Sequence, residues 1–253
     1  MASPSWRARP PLSTVNSTPL LPLSKAEREW QRQKNTEGAH NPAIDAIMEM
    51  TGLEEVKAQV LRIKAKIDTT QRQGASLKDE RFNVVLRGNP GTGKTTVARH
   101  YAKFLASVGI VPGDSFIEMT GSRLAHDGVR DIKEQIEEMR DEGGGAIFVD
   151  EAYQLTEGHN FCGGPVLDFL LGEMEKSAGE IVFIFAGYSK QMEKFFEHNP
   201  GLSSRVPYSL QFKDYTDLEL LYMFGKLILK KYNGQMKVEG GMFGLYMRIA
   251  IRR

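Results

Sequence analysis

Three glycines, a lysine and three threonines fall within nine consecutive residues: Gly88, Asn89, Pro90, Gly91, Thr92, Gly93, Lys94, Thr95 and Thr96. Glycines at this density let successive backbone N–H groups converge on one point. A helix beginning directly after them adds the partial positive charge of its N-terminus. The product is a cradle for phosphate. Gly88 to Thr95 also meets the spacing G-x-x-x-x-G-K-[ST]. In that arrangement Lys94 reaches the β- and γ-phosphates of a nucleotide, and the Thr95 hydroxyl ligates Mg2+.

Two further groups could act on what the cradle holds. Ala146, Ile147, Phe148 and Val149 run directly into Asp150 and Glu151. A buried strand ending in two acids sets carboxylates at the C-terminal edge of a sheet, where a phosphate loop also lies. Asp150 is then placed for a Mg2+ hydration shell and Glu151 for polarising an attacking water. The segment NPGLSSRV at 199–206 supplies Arg205. Phosphoryl transfer builds negative charge that an arginine from a neighbouring subunit can offset.

The elements that must position these groups follow from apolar spacing. FNVVL at 82–86, SFIEM at 115–119, AIFVDE at 146–151, IVFIFAG at 181–187 and the weaker YSLQF at 208–212 read as strands. Between them, Val97–Val108, Val129–Met139, Val166–Met174 and Met192–Phe196 carry helical spacing. Leu53, Val56, Val60, Ile63 and Ile67 mark a helix before the first strand, and the chain turns helical again beyond Phe212. Strands that are continuously apolar and alternate with helices predict an α/β fold: a five-stranded, mostly parallel sheet with helices on both faces.

The 253 residues carry 33 Lys plus Arg against 32 Asp plus Glu, a balance that calls for neither nucleic acid nor an anionic membrane as partner. No apolar run approaches the roughly 20 residues of a membrane span. The single cysteine, Cys162, rules out an internal disulfide and fits a reducing compartment. Its neighbour His159 gives no argued base geometry, and the five histidines show no metal spacing. Met223, Met236, Met242 and Met247 read as packing residues, with Gly240 and Gly241 as a turn. Residues 1–26 hold five prolines and no acid. They read as a disordered tail, with a targeting segment as the alternative. The expected location is accordingly cytoplasmic, or organellar if the N-terminus is a leader.

Together, MTGLEEVKAQV, GNPGTGKTTVAR, AIFVDEAYQL and IVFIFAGYSKQMEKFFEHNPGLSSRV resemble the CbxX/CfqX branch of AAA+ ATPases. That branch includes red-type Rubisco activases and stage V sporulation protein K-like proteins. The resemblance spans roughly residues 43–235. It implies a P-loop NTPase three-layer sandwich, ATP and Mg2+ as ligands, and a homo-oligomer, a hexameric ring if the lid suffices, that remodels a protein client. Carried over by position, Lys94 and Thr95 match the phosphate-loop lysine and metal ligand. Asp150 and Glu151 match the metal-binding and catalytic acids, Arg205 the arginine finger, and Gly52 within TGL the start of the adenine pocket. The domain expectation is a charged tail over 1–40, a nucleotide-binding domain over 41–213 and a partial helical lid over 214–253.

Three positions depart from the family pattern. Tyr188 stands where many AAA+ proteins carry a polar water-orienting residue, although the branch shares its AGY sequence. TGSRLAHDGV, expected as a loop after the second strand, lacks the aromatic that threading relatives project into the pore; Leu124 or His126 would have to substitute. No Gly-Asn-Ala-Arg segment occurs before Arg253, so an incomplete lid is expected. The leading reading is an Mg2+-dependent ATPase. A nucleotide-binding assembly or regulatory module with little hydrolysis is the alternative, and a small-molecule kinase a third.

Overall fold

The computed structural model describes residues 21–77, 80–157 and 163–233. The readings of Cys162, His159, Met236, Gly240, Gly241, Met242 and Met247, of the tail over residues 1–20 and of the lid beyond residue 233 concern residues outside them. A compact body runs from Leu23 to Asp214, and the chain from Tyr215 belongs to a second unit.

The body is built on β1 (Val84–Arg87), β2 (Ser115–Thr120), β3 (Gly145–Asp150), β4 (Ile181–Gly187) and β5 (Tyr208–Gln211). They form one sheet in the order β2-β3-β4-β1-β5, and every pairing is parallel. Each of the first four strands is followed by at least one helix that returns the chain across a face. All five C-terminal ends therefore share one edge.

Alternate residues of the buried strands serve opposite faces. Val84, Leu86, Phe148 and Ile184 pack with α1 (Lys25–Glu37), α2 (Pro42–Glu49), α3 (Glu54–Arg72) and α4 (Lys94–Ser107). Val85, Ile147, Phe183 and Phe185 pack with α5 (Gly121–Asp141), a 3-10 turn at Ala152–Leu155, α6 (Gly163–Lys176), α7 (Ser189–His198) and α8 (Gly201–Arg205). That is the three-layer sandwich expected.

Two expectations need correcting. The charged stretch KAEREWQRQKNTEG, whose sequence reads as helical with Trp30 as its only obvious apolar anchor, falls within the expected tail over 1–40; it forms α1, as that reading has it, but α1 is part of the body. Ser24 and Glu27 form its capping box, and its Trp30 is 1% exposed. Burying one large aromatic and pairing Glu27 with the fully buried Lys57 of α3 outweighs the polarity of its remaining residues. TGSRLAHDGV is also no loop. Its residues 121–127 begin α5, and the backbone leaves helical geometry only at Gly128 (φ 81°). Leu124 is buried in the core and presents nothing outward, whereas the His126 side chain is 88% exposed.

In the second unit, α9 (Asp217–Tyr232) starts at a capping box of Thr216 and Glu219 and ends at Asn233 in left-handed geometry. No described helix is long and apolar enough to cross a membrane.

Candidate functional site

β1 delivers Gly88 to the C-terminal edge of the sheet between β4 and β5. A side chain there has no room: a Cβ on Gly88 would lie 2.5 Å from the Phe212 carbonyl oxygen. Gly91 (φ 74°) and Gly93 (φ 94°) hold left-handed geometry, which turns the loop's amides inward before α4 starts at Lys94. The buried Thr92 hydroxyl donates to the Asn89 carbonyl at 2.7 Å and closes the loop on itself. Lys94 Nζ donates to the carbonyls of Gly88 (2.9 Å) and Asn89 (2.8 Å). Burial pushes the Lys94 pKa down, against the opposing pull of Asp150 and Glu151.

Those carboxylates arrive on β3, two strands from β1 with β4 between. Gly88, Gly91, Lys94, Thr95, Thr96, Asp150, Glu151 and Tyr188 all line a single cleft of about 390 Å3, with Pro90, Gly93 and Gly187 completing its wall. Asp150 Oδ1 accepts the Glu151 N–H at 2.9 Å. Glu151 adopts φ 50°, left-handed geometry that a non-glycine residue rarely takes and that clusters at functional sites. Its carboxylate accepts a hydrogen bond from Gln154 Nε2 at 2.8 Å, while Gln154 Oε1 is buried without a partner. Tyr153 stacks obliquely on Tyr188 at 6.0 Å. Burial, reinforced by the Glu151 charge, pushes the Tyr153 hydroxyl up to about 12.

Not every expected residue joins this cleft. The side chain of Asn89 turns away, donating to both carboxylate oxygens of Asp214 at 2.9 Å. It and Thr92 shape the loop instead of lining the cleft. Gly52 (φ 66°) lies in the turn before α3 and is not among the cleft's residues. Arg205 is also outside it. Its guanidinium meets Glu175 at 2.8 Å and donates to the carbonyls of Leu171 and Gly201. The side chain of Asn83, 3% exposed, donates to the Arg205 carbonyl at 2.8 Å and accepts from the Phe183 N–H at 2.8 Å, pinning the end of α8 to the sheet.

Sequence reasoning missed Gln154, Asp214 and Asn83. Gln154 lies one helical turn from Glu151 and could have been found by spacing. Asp214 is 125 residues from Asn89, and no local signal links them.

Residues 84–213 match the profile of the ATPase family associated with various cellular activities (AAA). The chain is 35% identical over 201 residues to a chloroplastic ribulose bisphosphate carboxylase/oxygenase activase of Cyanidioschyzon merolae, covering 77% of this chain and 68% of the relative. It is 33% identical over 219 residues to stage V sporulation protein K of Bacillus subtilis, covering 83% and 68%. Protein CbbX of Cereibacter sphaeroides is 34% identical over 208 residues, covering 80% and 67%.

Proposed function

Since the chain belongs to the AAA family of ATPases, in its CbxX/CfqX branch, we propose that it binds ATP with Mg2+ in this cleft. It hydrolyses the nucleotide there and spends the cycle on remodelling a partner protein, as one subunit of a homo-oligomeric ring. The observation that carries this reading is the convergence of Lys94, Thr95, Asp150 and Glu151 on one cleft at the edge of the sheet.

The residues fit Mg2+. The Thr95 hydroxyl and the Asp150 carboxylate are hard oxygen donors beside a phosphate cradle, a set suited to an ion that shares its other positions with phosphate oxygens and water. When bound, the ion offsets charge on the phosphates. Backbone amides of 88–95 and the N-terminus of α4 orient the phosphate chain, and Lys94 exchanges its two loop carbonyls for phosphate oxygens. Glu151 takes the proton of the attacking water. Gln154 holds that carboxylate in place. A protein client accords with the first relative's name, which describes an activator of an enzyme.

Arg205 serves the adjoining copy's cleft, a role supported by its position outside its own. A lone chain then lacks one charge that the reaction needs. This also favours the second reading, a nucleotide-binding module whose hydrolysis is weak unless copies meet.

Steady-state ATP hydrolysis per chain, followed across protein concentration with Glu151→Gln as blank, tests the proposal. Specific activity should rise with concentration and fall by at least about a hundredfold in the variant, which keeps its ATP affinity. Activity equal to the blank at every concentration would sink the ATPase reading and leave the binding module.

A further inference from the structure

Arg205 is not a free surface arginine. Of its five N–H donors, Nε bonds the Leu171 carbonyl at 3.2 Å and Nη1 the Gly201 carbonyl at 3.1 Å. Nη2 meets Glu175 Oε1 at 2.8 Å. The two carbonyl bonds are main-chain contacts from α6 and α8. A Cβ on Gly201 would lie 2.9 Å from Arg205 Nη1, so a glycine at this position leaves the guanidinium its seat.

The third contact is of another kind. Glu175 is half exposed, and its same oxygen Oε1 faces a second cation, Arg81 Nη2, at 3.6 Å. Arg81 is itself held beside Arg205, donating from Nη1 to the Ser204 carbonyl at 3.3 Å. One carboxylate oxygen thus serves two arginines, tightly on Arg205 and loosely on Arg81. Glu175 is solvated on its own side, so the pair contributes little net stability, and a stronger anion can displace this carboxylate from Arg205 at small cost.

Resting on the reading of Arg205 as the group that completes a neighbouring copy's site, we propose that Glu175 and Arg81 are its positioning residues. Glu175 is the resting partner of the guanidinium and competes with the nucleotide's phosphate for it. Arg81 takes over the carboxylate when Arg205 turns to the adjoining copy. The carbonyls of Leu171 and Gly201 and the clamp of Asn83 on the Arg205 main chain keep the seat in register throughout.

The two positioning residues then have opposite effects, which a merely structural cluster would not produce. In the full chain, Glu175→Gln should lower the protein concentration for half-maximal ATPase activity by about two- to fivefold, the range of an ion pair whose carboxylate is half exposed. Arg81→Ala, which removes the cation that receives Glu175, should raise it. At saturating protein, KM for ATP should fall in Glu175→Gln and rise in Arg81→Ala, because nucleotide and adjoining copy share the Arg205 contact. Arg205→Ala, run alongside, should abolish the concentration-dependent activity. If Arg205→Ala is inactive while the other two variants shift in the same direction or not at all, the inference fails and the role of Arg205 stands. If Arg205→Ala keeps full activity, or the wild type does not exceed the Glu151→Gln blank, the parent reading fails and takes the inference with it.

Discussion

At the scale of single residues, Gln154 is more informative than the phosphate-loop side chains. Its amide gives one hydrogen bond to Glu151, and its other end is buried with no partner. With Glu151 as the proposed base, losing the donor should lower turnover, whereas losing the orphaned oxygen costs the fold nothing, because a buried unpaired acceptor is itself unfavourable. Gln154→Met should therefore lower kcat by about tenfold, in keeping with a hydrogen bond to a charged group, while KM and the urea midpoint barely move. A matching fall in the urea midpoint would show that the side chain supports the fold and not the carboxylate. Gly88→Ala should act in the opposite sense. The Cβ meets the Phe212 backbone at 2.5 Å, so the loop must shift, and both nucleotide affinity and thermal stability should drop. Thermal unfolding with and without ATP reads both.

Among the elements, α1 decides where the folded body begins. Its contacts are few but buried: Trp30, whose Nε1 donates to Asp45 of α2 at 2.8 Å, and the pairing of Glu27 with Lys57. Lys57 also donates to the Met50 carbonyl at 2.5 Å, tying α1 to the turn before α3. Trp30→Ala should cost about 3–5 kcal/mol, and Lys57→Ala, which strands Glu27, about 3 kcal/mol, both measurable by urea unfolding. The same interface sets the acid response. Burial pushes the Asp45 carboxyl up, but hydrogen bonds from Lys34 and Trp30 hold it below its ordinary 3.8. Between α5 and α6, burial likewise opposes Lys176 and Arg140, which hold Glu173 below its ordinary 4.5. A depressed carboxylate contributes stability that is complete above its unfolded value and lost as pH falls through its folded one. The carboxylates' contribution should therefore be complete above about pH 4.5 and decline below it, while His100, which burial and then the Lys103 charge hold below its ordinary 6.5, adds a decline that begins as pH falls through that value. Asp45→Asn should soften that acid decline while lowering stability at neutral pH.

For the molecule as a whole, residues 23–214 form a unit with its own two-sided core, so that fragment should unfold in one cooperative transition. Its midpoint should rise with ATP and Mg2+, and Lys94→Ala should remove the rise; a broad, non-cooperative melt would refute the division. The parallel sheet, its order of helices and strands, and the meeting of loop 88–96 with Asp150 and Glu151 were legible in the residues. Each depends on local periodicity or on a motif whose geometry is set within a few residues, and parallel strands then share one edge. The placement of α1 was not legible, because a mostly charged helix is read as solvated until a partner for its one tryptophan is known. Nor was the helical start of α5, where the burial of Leu124 overrides glycine and serine at its N-terminus. The sequence by itself determined which groups could hold and attack a phosphate. Only the tertiary structure decided which groups restrain them, Gln154 on Glu151, Asp214 on Asn89 and Glu175 on Arg205, because a hydrogen bond depends on ångströms across elements that packing alone brings together.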